Sequence, residues 1–147
     1  MKQTMEPMEL LTSSTPYSVY NFHLPQSLKK NAEQLCWEYN QLPPGQEERR
    51  REILKKLFGT CDPKTFVMPG FRCDYGFNIH THGLAFINYN CVILDTSPVH
   101  IGTNAFIAPA YVSVVWATPW MPNSGQRRLP HRPLLPWRRM CGLVPML

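Results

Sequence analysis

Apolar side chains recur at two different spacings along this chain, and the change of spacing marks two kinds of structure. In the first part they recur every three or four positions, which is the spacing of an amphipathic helix. Pro43-Pro44-Gly45 interrupts the pattern, so we predict two helices joined by a short break. Because isolated helices of this length are marginal in water, the pair must dock on another part of the chain. The two apolar stripes comprise Leu28, Ala32, Leu35, Cys36 and Tyr39, and then Ile53, Leu54, Leu57 and Phe58.

Further along the chain, the apolar positions recur every six residues. A period of six fits neither a helix nor a strand that simply alternates every two residues. It is typical of a parallel β-helix, in which short strands stack in successive coils. A β-hairpin region is the alternative that this period alone leaves open. The members of the two six-residue series are Ile87, Ile93, Val99 and Ala105, and then Ile101 and Ile107.

Composition narrows the class of protein. The chain has 147 residues, of which 44% are hydrophobic and 17% are charged, so it can bury a core and is not disordered throughout. It contains no apolar run of about 18 residues, so we expect no membrane-spanning helix. The first residues carry lysine and glutamate without a long apolar stretch. We therefore expect no secretory signal and a cytoplasmic location.

Cysteine and histidine residues raise the questions of disulfides and metal. The five cysteines are scattered and include no Cys-x-x-Cys pair, so a disulfide framework is not expected. His80, His82 and His100, taken with Cys73 and Cys91, could suggest zinc. Their spacings match no usual ligand pattern, and alternate residues of a strand point to opposite faces. We therefore predict no metal site.

The net charge of +5 is confined to the end of the chain. Residues 1–111 hold equal numbers of basic and acidic side chains, whereas residues 112–147 hold five arginines and no acid. The same tail holds six of the fifteen prolines and three of the four tryptophans. A basic, aromatic tail can bind single-stranded nucleic acid. A shift of the reading frame explains this composition better than nucleic-acid binding does, so we predict no nucleic-acid partner.

Three motifs in the middle of the chain occur in a characteristic order. They are FRCDYGFNIH at residues 71–80, FINYNCVILD at residues 86–95 and PVHIGTNAFIAP at residues 98–109. Together they strongly resemble the sugar O-acetyltransferases of the hexapeptide-repeat superfamily, that is the maltose and galactoside acetyltransferases. The helical segment, with CWEYNQ and REILKKLFG, resembles the N-terminal maltose-acetyltransferase domain of that family. The resemblance covers about residues 16–109.

The resemblance implies a fold, a reaction and an assembly. The fold is of the α+β class, with a short N-terminal helical domain, an incomplete left-handed parallel β-helix and an irregular C-terminal tail. The family implies a homotrimer, acetyl-CoA as co-substrate and a sugar hydroxyl as acceptor. We expect a disordered leader over residues 1–15, the helical domain over 16–66, the β-helix over 67–111 and an aberrant tail over 112–147.

The resemblance also indicates substrate-binding side chains in a cleft between subunits. Asp74 lies where the family has a polar residue that contacts the substrate, and Asn88 matches an asparagine near the acceptor. Asp95 is a further polar residue of the same cleft. The alternatives are turn residues for Asp74 and Asn88, and a stabiliser of a β-helix corner for Asp95. His80 is expected to be structural or at the edge of the sugar site, and it is not the catalytic base.

The catalytic histidine of the family is missing from its expected place. It precedes a proline shortly after the Ile-Ala-Pro segment, and this chain has no His-Pro there. His131 stands well beyond it, in PHRP, and no further hexapeptide follows. We therefore assign no catalytic residue and no cofactor-binding residue, and we expect no appreciable acetyl transfer and no complete trimer packing. The alternative role is a non-catalytic fragment that associates with intact acetyltransferase subunits.

The genetic code offers a reason for the unusual tail. When the third base of each codon is read with the first two bases of the next, residues 116–123 can encode Gly-His-Pro-(Leu/Met/Val)-Asp-Ala-Glu. Residues 140–144 can likewise encode Val-Trp-(Ile/Leu)-Gly. Both are motifs of the resembled family. We therefore hypothesise that the chain from about residues 109–111 onward is an out-of-frame translation of an acetyltransferase gene.

Resequencing the coding DNA across codons 105–120 tests this hypothesis. We expect one base to be gained or lost near codon 109, which opens a frame through Gly-His-Pro and Val-Trp-Leu-Gly. An intact reported frame would contradict the hypothesis and make the gene a decayed or repurposed copy.

Overall fold

The computed structural model describes residues 7–12 and 26–115. Within these ranges three helices precede eight short strands, and none of the helices is long and apolar enough to cross a membrane. The helices are α1 (Pro7–Thr12), α2 (Gln26–Gln41) and α3 (Glu47–Leu57). The strands are β1 (Thr65–Val67), β2 (Arg72–Cys73), β3 (Ile79–Thr81), β4 (Ala85–Ile87), β5 (Val92–Asp95), β6 (Val99–Ile101), β7 (Ala105–Ile107) and β8 (Val112–Val115).

The strands form three parallel sheets, which are the three faces of a β-helix. The sheets are β1–β4–β7, β2–β5–β8 and β3–β6. Thr65 pairs with Ala85, and Ala85 pairs with Ala105, so one coil takes 20 residues. A hairpin would place sequential strands antiparallel, so the parallel pairing excludes that alternative. The expected α+β class, with a helical segment followed by an incomplete left-handed β-helix, is confirmed.

Each coil is longer than three six-residue repeats would make it. Counted between the first inward-facing residues of successive strands, the step from Ala85 to Ile93 is eight residues, whereas the steps from Ile93 to Val99 and from Val99 to Ala105 are six each. The two extra residues therefore lie between β4 and β5. A plain period of six was still visible in the sequence, because Ile87 is the second inward-facing residue of β4 and lies six positions before Ile93.

The side chains that the six-residue period selects do form the core. Five of them are at least 92% buried and Ala105 is half-buried against the same cluster. The middle side chains of β4 and β7, Phe86 and Phe106, point outward and stack on the outer face with ring centroids 6.4 Å apart. The buried members are Ile87, Ile93, Val99, Ile101 and Ile107.

Helices α2 and α3 pack against the first coil. Ala32, Cys36 and Tyr39 are buried along α2, and the predicted stripe of α3 is buried as well. The Tyr39 hydroxyl donates a hydrogen bond to the Val67 carbonyl. The Asn40 side chain accepts the backbone N–H of Gly70 at 2.8 Å and donates to the Phe71 carbonyl at 2.9 Å. These bonds join the helix to backbone groups that follow the first strand.

The limits of the elements differ from the expected domain limits. Residues 7–12, placed in a disordered leader by the sequence analysis, form α1. Leu11 is fully buried, and its carbonyl accepts a hydrogen bond from Asn78 Nδ2 at 2.7 Å. Six residues are too few to reveal a helical period, so the sequence pattern gave no sign of this contact. The strands begin at Thr65 and continue to Val115, and the rest of the expected tail lies outside the described residues.

One corner of the β-helix uses left-handed backbone in every coil. Gly70, Asn90 and Ala110 lie 20 residues apart and have φ angles of 88°, 57° and 55°. Glycine adopts this conformation without the steric cost that a Cβ atom brings. A Cβ added to Gly70 would also lie only 2.1 Å from Asn90 Oδ1. The backbone conformation therefore favours glycine at this position, and the lack of space for a Cβ atom requires it.

Gly70→Ala should lower the free energy of unfolding by about 1–3 kcal/mol, because it adds strained backbone to a steric clash. Urea unfolding followed by circular dichroism measures the change. Gly102→Ala is the matched control, since no atom lies within 4 Å of its added Cβ. We expect the control to change stability by less than about 0.5 kcal/mol. Equal losses in the two variants would show that this corner does not depend on glycine.

Candidate functional site

Asp74 lies directly after β2, at the corner between the sheets β2–β5–β8 and β3–β6. Its carboxylate forms an ion pair with Lys29 of α2, with 2.8 Å between Lys29 Nζ and Asp74 Oδ1. The Asp74 side chain is 16% exposed and that of Lys29 is 44% exposed. The helix thus orients the carboxylate while leaving part of it open to solvent.

Lys29 is a member of this site that the sequence analysis missed. The hydrogen bond to Asp74 raises the pKa of its ammonium group, and this effect outweighs the lowering caused by partial burial. Lys29 lies three residues before Ala32 and seven before Cys36, so helical spacing puts it on the face that docks. A lysine on an otherwise buried helix face was the available signal, because such a lysine needs an acidic partner.

Asp95 is fully buried at the same corner and holds the turn of the coil before it. Its Oδ1 accepts the backbone N–H groups of Asp74 at 3.0 Å and Tyr75 at 2.9 Å, and its Oδ2 accepts that of Asn78 at 3.3 Å. Burial raises the pKa of the carboxyl to about 6, against the opposing effect of these bonds. The geometry is that of the corner-stabilising alternative, and the carboxylate presents no surface to a substrate.

Asn88 lies directly after β4, at a different corner, between the sheets β1–β4–β7 and β2–β5–β8. Its side chain is half-buried, and its Oδ1 accepts the backbone N–H of Tyr89 at 2.9 Å. This bond is a local turn contact. Within one chain, therefore, the fold brings Asp74 and Asp95 together and places Asn88 elsewhere.

A cleft of about 490 Å³ lies between the helix pair and the outer face of the sheet β1–β4–β7. Its size is that of a small-molecule site. Phe86 and Tyr89, which lie two residues before and one after Asn88, line it, whereas Asp74 and Asn88 do not. Arg50 in its wall is held by the carbonyls of Leu42 and Tyr39 and is not free to meet a ligand. The cleft is therefore separate from the residues predicted to bind the acceptor.

The histidines form a row on the outer face of the sheet β3–β6. The rings of His80 and His100 stack with centroids 4.8 Å apart, and His82 Nε2 lies 3.0 Å from His100 Nδ1. His80 Nδ1 lies 3.1 Å from the Thr60 hydroxyl. Partial burial lowers the pKa of His80, and the neighbouring imidazoles of His100 and His82 lower it further. In residues 7–12 and 26–115 no three His, Cys, Asp or Glu side chains form a group that could hold a metal ion. His131 lies outside the described residues.

Residues 20–62 match the family model described as the maltose acetyltransferase hexapeptide capping motif. A Saccharomyces cerevisiae protein named as an acetyltransferase is 35% identical over 105 residues, which cover 69% of this chain and 54% of that protein. The galactoside O-acetyltransferase of Escherichia coli strain K12 is 36% identical over 75 residues, which cover 51% of this chain and 37% of the enzyme. The chain spans about half the length of the curated relative with the longer match.

Solved structures agree with these sequence matches. The crystal structure of a maltose O-acetyltransferase from Clostridium difficile 630 superposes with a TM-score of 0.66 and 32% identity, covering 74% of this chain and 57% of that one. A hexapeptide-repeat acetyltransferase of Vibrio cholerae O1 biovar eltor, in complex with acetyl coenzyme A, gives a TM-score of 0.62 and 29% identity over the same shares. A galactoside acetyltransferase in complex with coenzyme A gives a TM-score of 0.56 and 32% identity, covering 57% of this chain and 42% of that one.

Asp95→Asn should destabilise the chain, because both side-chain oxygens of Asp95 accept backbone N–H groups and the amide NH2 that replaces one of them cannot accept a hydrogen bond. The loss of one buried hydrogen bond costs about 1–3 kcal/mol. The loss should also depend on pH. Since the pKa of Asp95 is raised from 3.8 to about 6 on folding, the folded chain binds the proton more tightly than the unfolded chain. The stability contributed by protonated Asp95 is complete below about pH 4 and is lost as the pH rises through about 6.

Thermal unfolding of the wild type and Asp95→Asn from pH 4 to pH 7 measures this effect. We expect the stability advantage of the wild type over the variant to shrink by up to about 3 kcal/mol as the pH rises. Glu48→Gln, on the exposed surface of α3, controls for the loss of a negative charge. An advantage that is constant with pH, or an equal trend in the control, would contradict the buried position of Asp95.

Proposed function

We propose that this chain, which belongs to the hexapeptide-repeat family of maltose and galactoside O-acetyltransferases, is the acceptor-binding part of an acetyl-CoA-dependent sugar O-acetyltransferase. The observation that carries this proposal is the likeness of the helix-capped β-helix to solved acetyltransferases, two of which hold acetyl coenzyme A or coenzyme A. The acetyl group would come from acetyl-CoA, and the acceptor would be the hydroxyl of a sugar or a sugar-like molecule.

Asp74 and Asn88 are the proposed acceptor-binding residues. A partly exposed carboxylate can accept hydrogen bonds from two sugar hydroxyls, and an amide can both donate and accept. The ion pair with Lys29 fixes the Asp74 carboxylate in one orientation before a sugar arrives. Asp95 would act through its neighbour as a positioning residue, because it accepts the backbone N–H of Asp74. Such side chains bind and orient the acceptor, while a general base elsewhere must take the hydroxyl proton.

The separation of Asp74 from Asn88 has a consequence for assembly. They lie at different corners of one chain, so a single acceptor site that used both would have to lie between two copies. This geometry supports a homotrimer with its sites between subunits, as the family resemblance implies. Asp95 already braces its own corner from inside, so it need not enter such a site.

We further propose that the chain as written does not transfer acetyl groups by itself. Its sequence lacks the His-Pro segment that supplies the base in the resembled family. An out-of-frame translation beyond about residue 109 accounts for this lack. The restored frame would again encode the histidine that acts as general base in the resembled family.

A second candidate function is a non-catalytic fragment that associates with intact acetyltransferase subunits. The observation that favours it is the last coil in the described part of the chain. There β7 and β8 each pair with a strand on one side only, and Phe106 is 66% exposed and Val112 58% exposed. Unpaired strand edges with apolar side chains readily pair with another chain. Co-elution of this chain with an intact relative would favour this role over that of an independent enzyme.

Acetyl transfer distinguishes the chain as written from its restored form. The 147-residue chain, incubated with acetyl-CoA and maltose or a galactoside, should give no acetylated sugar above a no-protein control. A version whose frame is shifted by one base near codon 109 should acetylate at least one of these sugars. Mass spectrometry of the sugar measures the product. Product from the purified chain as written would overturn the proposed inactivity, and an inactive but folded restored chain would overturn the proposed function.

Asp74→Ala in the restored chain tests the proposed acceptor site. We expect kcat/KM for the sugar to fall at least about tenfold, since a binding contact is lost, with little change in KM for acetyl-CoA. Asp62→Ala is the matched control, because within the described part of the chain the Asp62 carboxylate accepts a hydrogen bond only from the neighbouring backbone N–H of Lys64. Equal effects in the two variants would show that Asp74 does not bind the acceptor.

A further inference from the structure

Two buried thiols meet where α2 docks on the β-helix. Cys36 lies on the docking face of α2, Cys73 ends β2, and their Sγ atoms are 3.7 Å apart. Their residues are 5% and 9% exposed and lie 37 positions apart in the chain. An S–S bond is about 2.05 Å long, so the sulfurs would need to approach by about 1.7 Å. Small rotations about the two Cα–Cβ bonds can supply a movement of this size.

We propose that Cys36 and Cys73 are an oxidation site, at which a hydroperoxide forms a reversible disulfide that fixes α2 to the first coil of the β-helix. The two elements are already held in register by the ion pair between Lys29 and Asp74 and by the bonds of Asn40 to the backbone of Gly70 and Phe71. The fold therefore holds the two thiols close together before any oxidation, although they are far apart in the sequence.

The other cysteines in the described part of the chain are placed differently. Cys61 is half-buried, and its thiol points to the carbonyl of Asp62 at 3.9 Å. Cys91 lies inside the β-helix, and its thiol donates to the carbonyl of Ala108 at 3.2 Å. Among residues 7–12 and 26–115, the thiol–thiol contact recorded is that of Cys36 with Cys73. Cys141 lies outside the described residues.

The chemistry proceeds in two balanced steps. The Cys36 thiolate attacks one oxygen of the peroxide, the O–O bond breaks, and Cys36 sulfenic acid and a hydroxide ion form. The Cys73 thiolate then attacks the Cys36 sulfur, the S–S bond forms and the S–O bond breaks, releasing a second hydroxide ion. The two thiol protons convert these ions, for hydrogen peroxide, into two waters. The peroxide gains two electrons and the thiols lose two.

The hydrogen bond between the thiols favours this order of steps. It lowers the pKa of Cys36, whose thiolate is stabilised by the Cys73 thiol, while the same bond and burial raise the pKa of Cys73. The thiolate is the nucleophile, so Cys36 is the first to react. Because both thiols are buried, the peroxide reaches them when α2 opens locally, and the disulfide then opposes further opening.

The disulfide would also act on the candidate site. Cys73 directly precedes Asp74, and Cys36 lies on the same helix as Lys29, the ion-pair partner of Asp74. Oxidation would thus hold both members of that ion pair in place. This consequence rests on the proposed function, whereas formation of the disulfide does not.

Disulfide mapping tests the proposal on the full chain. The protein is treated with hydrogen peroxide, the remaining thiols are alkylated, and the digest is analysed by mass spectrometry. We expect the Cys36–Cys73 linkage to dominate in the folded protein and to become one minor linkage among several in urea. Dithiothreitol should remove it. No such linkage in the folded protein, or equal yields in folded and urea-unfolded protein, would overturn the proposal.

Thermal unfolding provides the second readout. Oxidation should raise the Tm by about 5 °C in the wild type, because the crosslink restricts the unfolded chain, and reduction should reverse the rise. Cys61→Ser is the matched control and should keep the rise, whereas Cys36→Ser and Cys73→Ser should lose it. If either of the latter variants fails to fold, the mapping of the wild type alone decides the outcome. A Tm rise that persists in Cys36→Ser would overturn the assignment.

Discussion

Each coil of a parallel β-helix buries its apolar side chains only against the coils on either side, so the two ends of the stack determine whether it is stable. In this chain the first end is covered by α2 and α3, whose buried stripes continue the core of the coils. At the other end, β7 and β8 have a partner strand on one side only within the described residues, and Phe106 is exposed. Within residues 7–12 and 26–115, therefore, one end of the stack is covered by helices and the other is not.

The turns between the faces are stabilised by polar groups that the apolar core cannot supply. A turn exposes backbone N–H groups that have no partner in the strands, and buried groups of this kind must be satisfied. Asp95 satisfies three of them in the preceding coil, and Asn40 serves the corner that contains Gly70. Burial of one carboxylate thus raises its pKa but makes a tight corner possible next to Asp74.

Local periodicity predicted the inward-facing positions, whereas the choice of a left-handed β-helix over a hairpin region came from the family resemblance. Inward positions such as Ile87, Ile93 and Val99 follow from spacing along the chain, as do the two helix stripes, because each is set by neighbours in sequence. The 20-residue coil could not be predicted in the same way, since its two extra residues lie between β4 and β5, where Ile87 and Ile93 still stand six positions apart. The helix α1 is too short to show a period.

The candidate site was harder to predict, because its contacts join residues far apart in the chain. Sequence selected Asp74 but could not show that Lys29 orients it, although the helical position of that lysine was a usable signal. For Asp95, sequence left two roles open, and burial is what separates them, since a carboxylate enclosed by backbone N–H groups cannot also meet a sugar. The contact between Cys36 and Cys73 spans 37 positions and has no local signature at all.

The positions of Asp74 and Asn88 bear on how copies of the chain could associate. The sheet β2–β5–β8 separates the corner of Asp74 from that of Asn88. An acceptor bound to one chain would therefore contact one of these two residues and not both. A second copy could bring the Asn88 corner of one chain to the Asp74 corner of the next, and the same association would cover outward aromatic side chains such as Phe106. Assembly and acceptor binding would then depend on the same surfaces. A chain that cannot assemble would keep its folded core, which is built within each copy, and would lose the site, which is not.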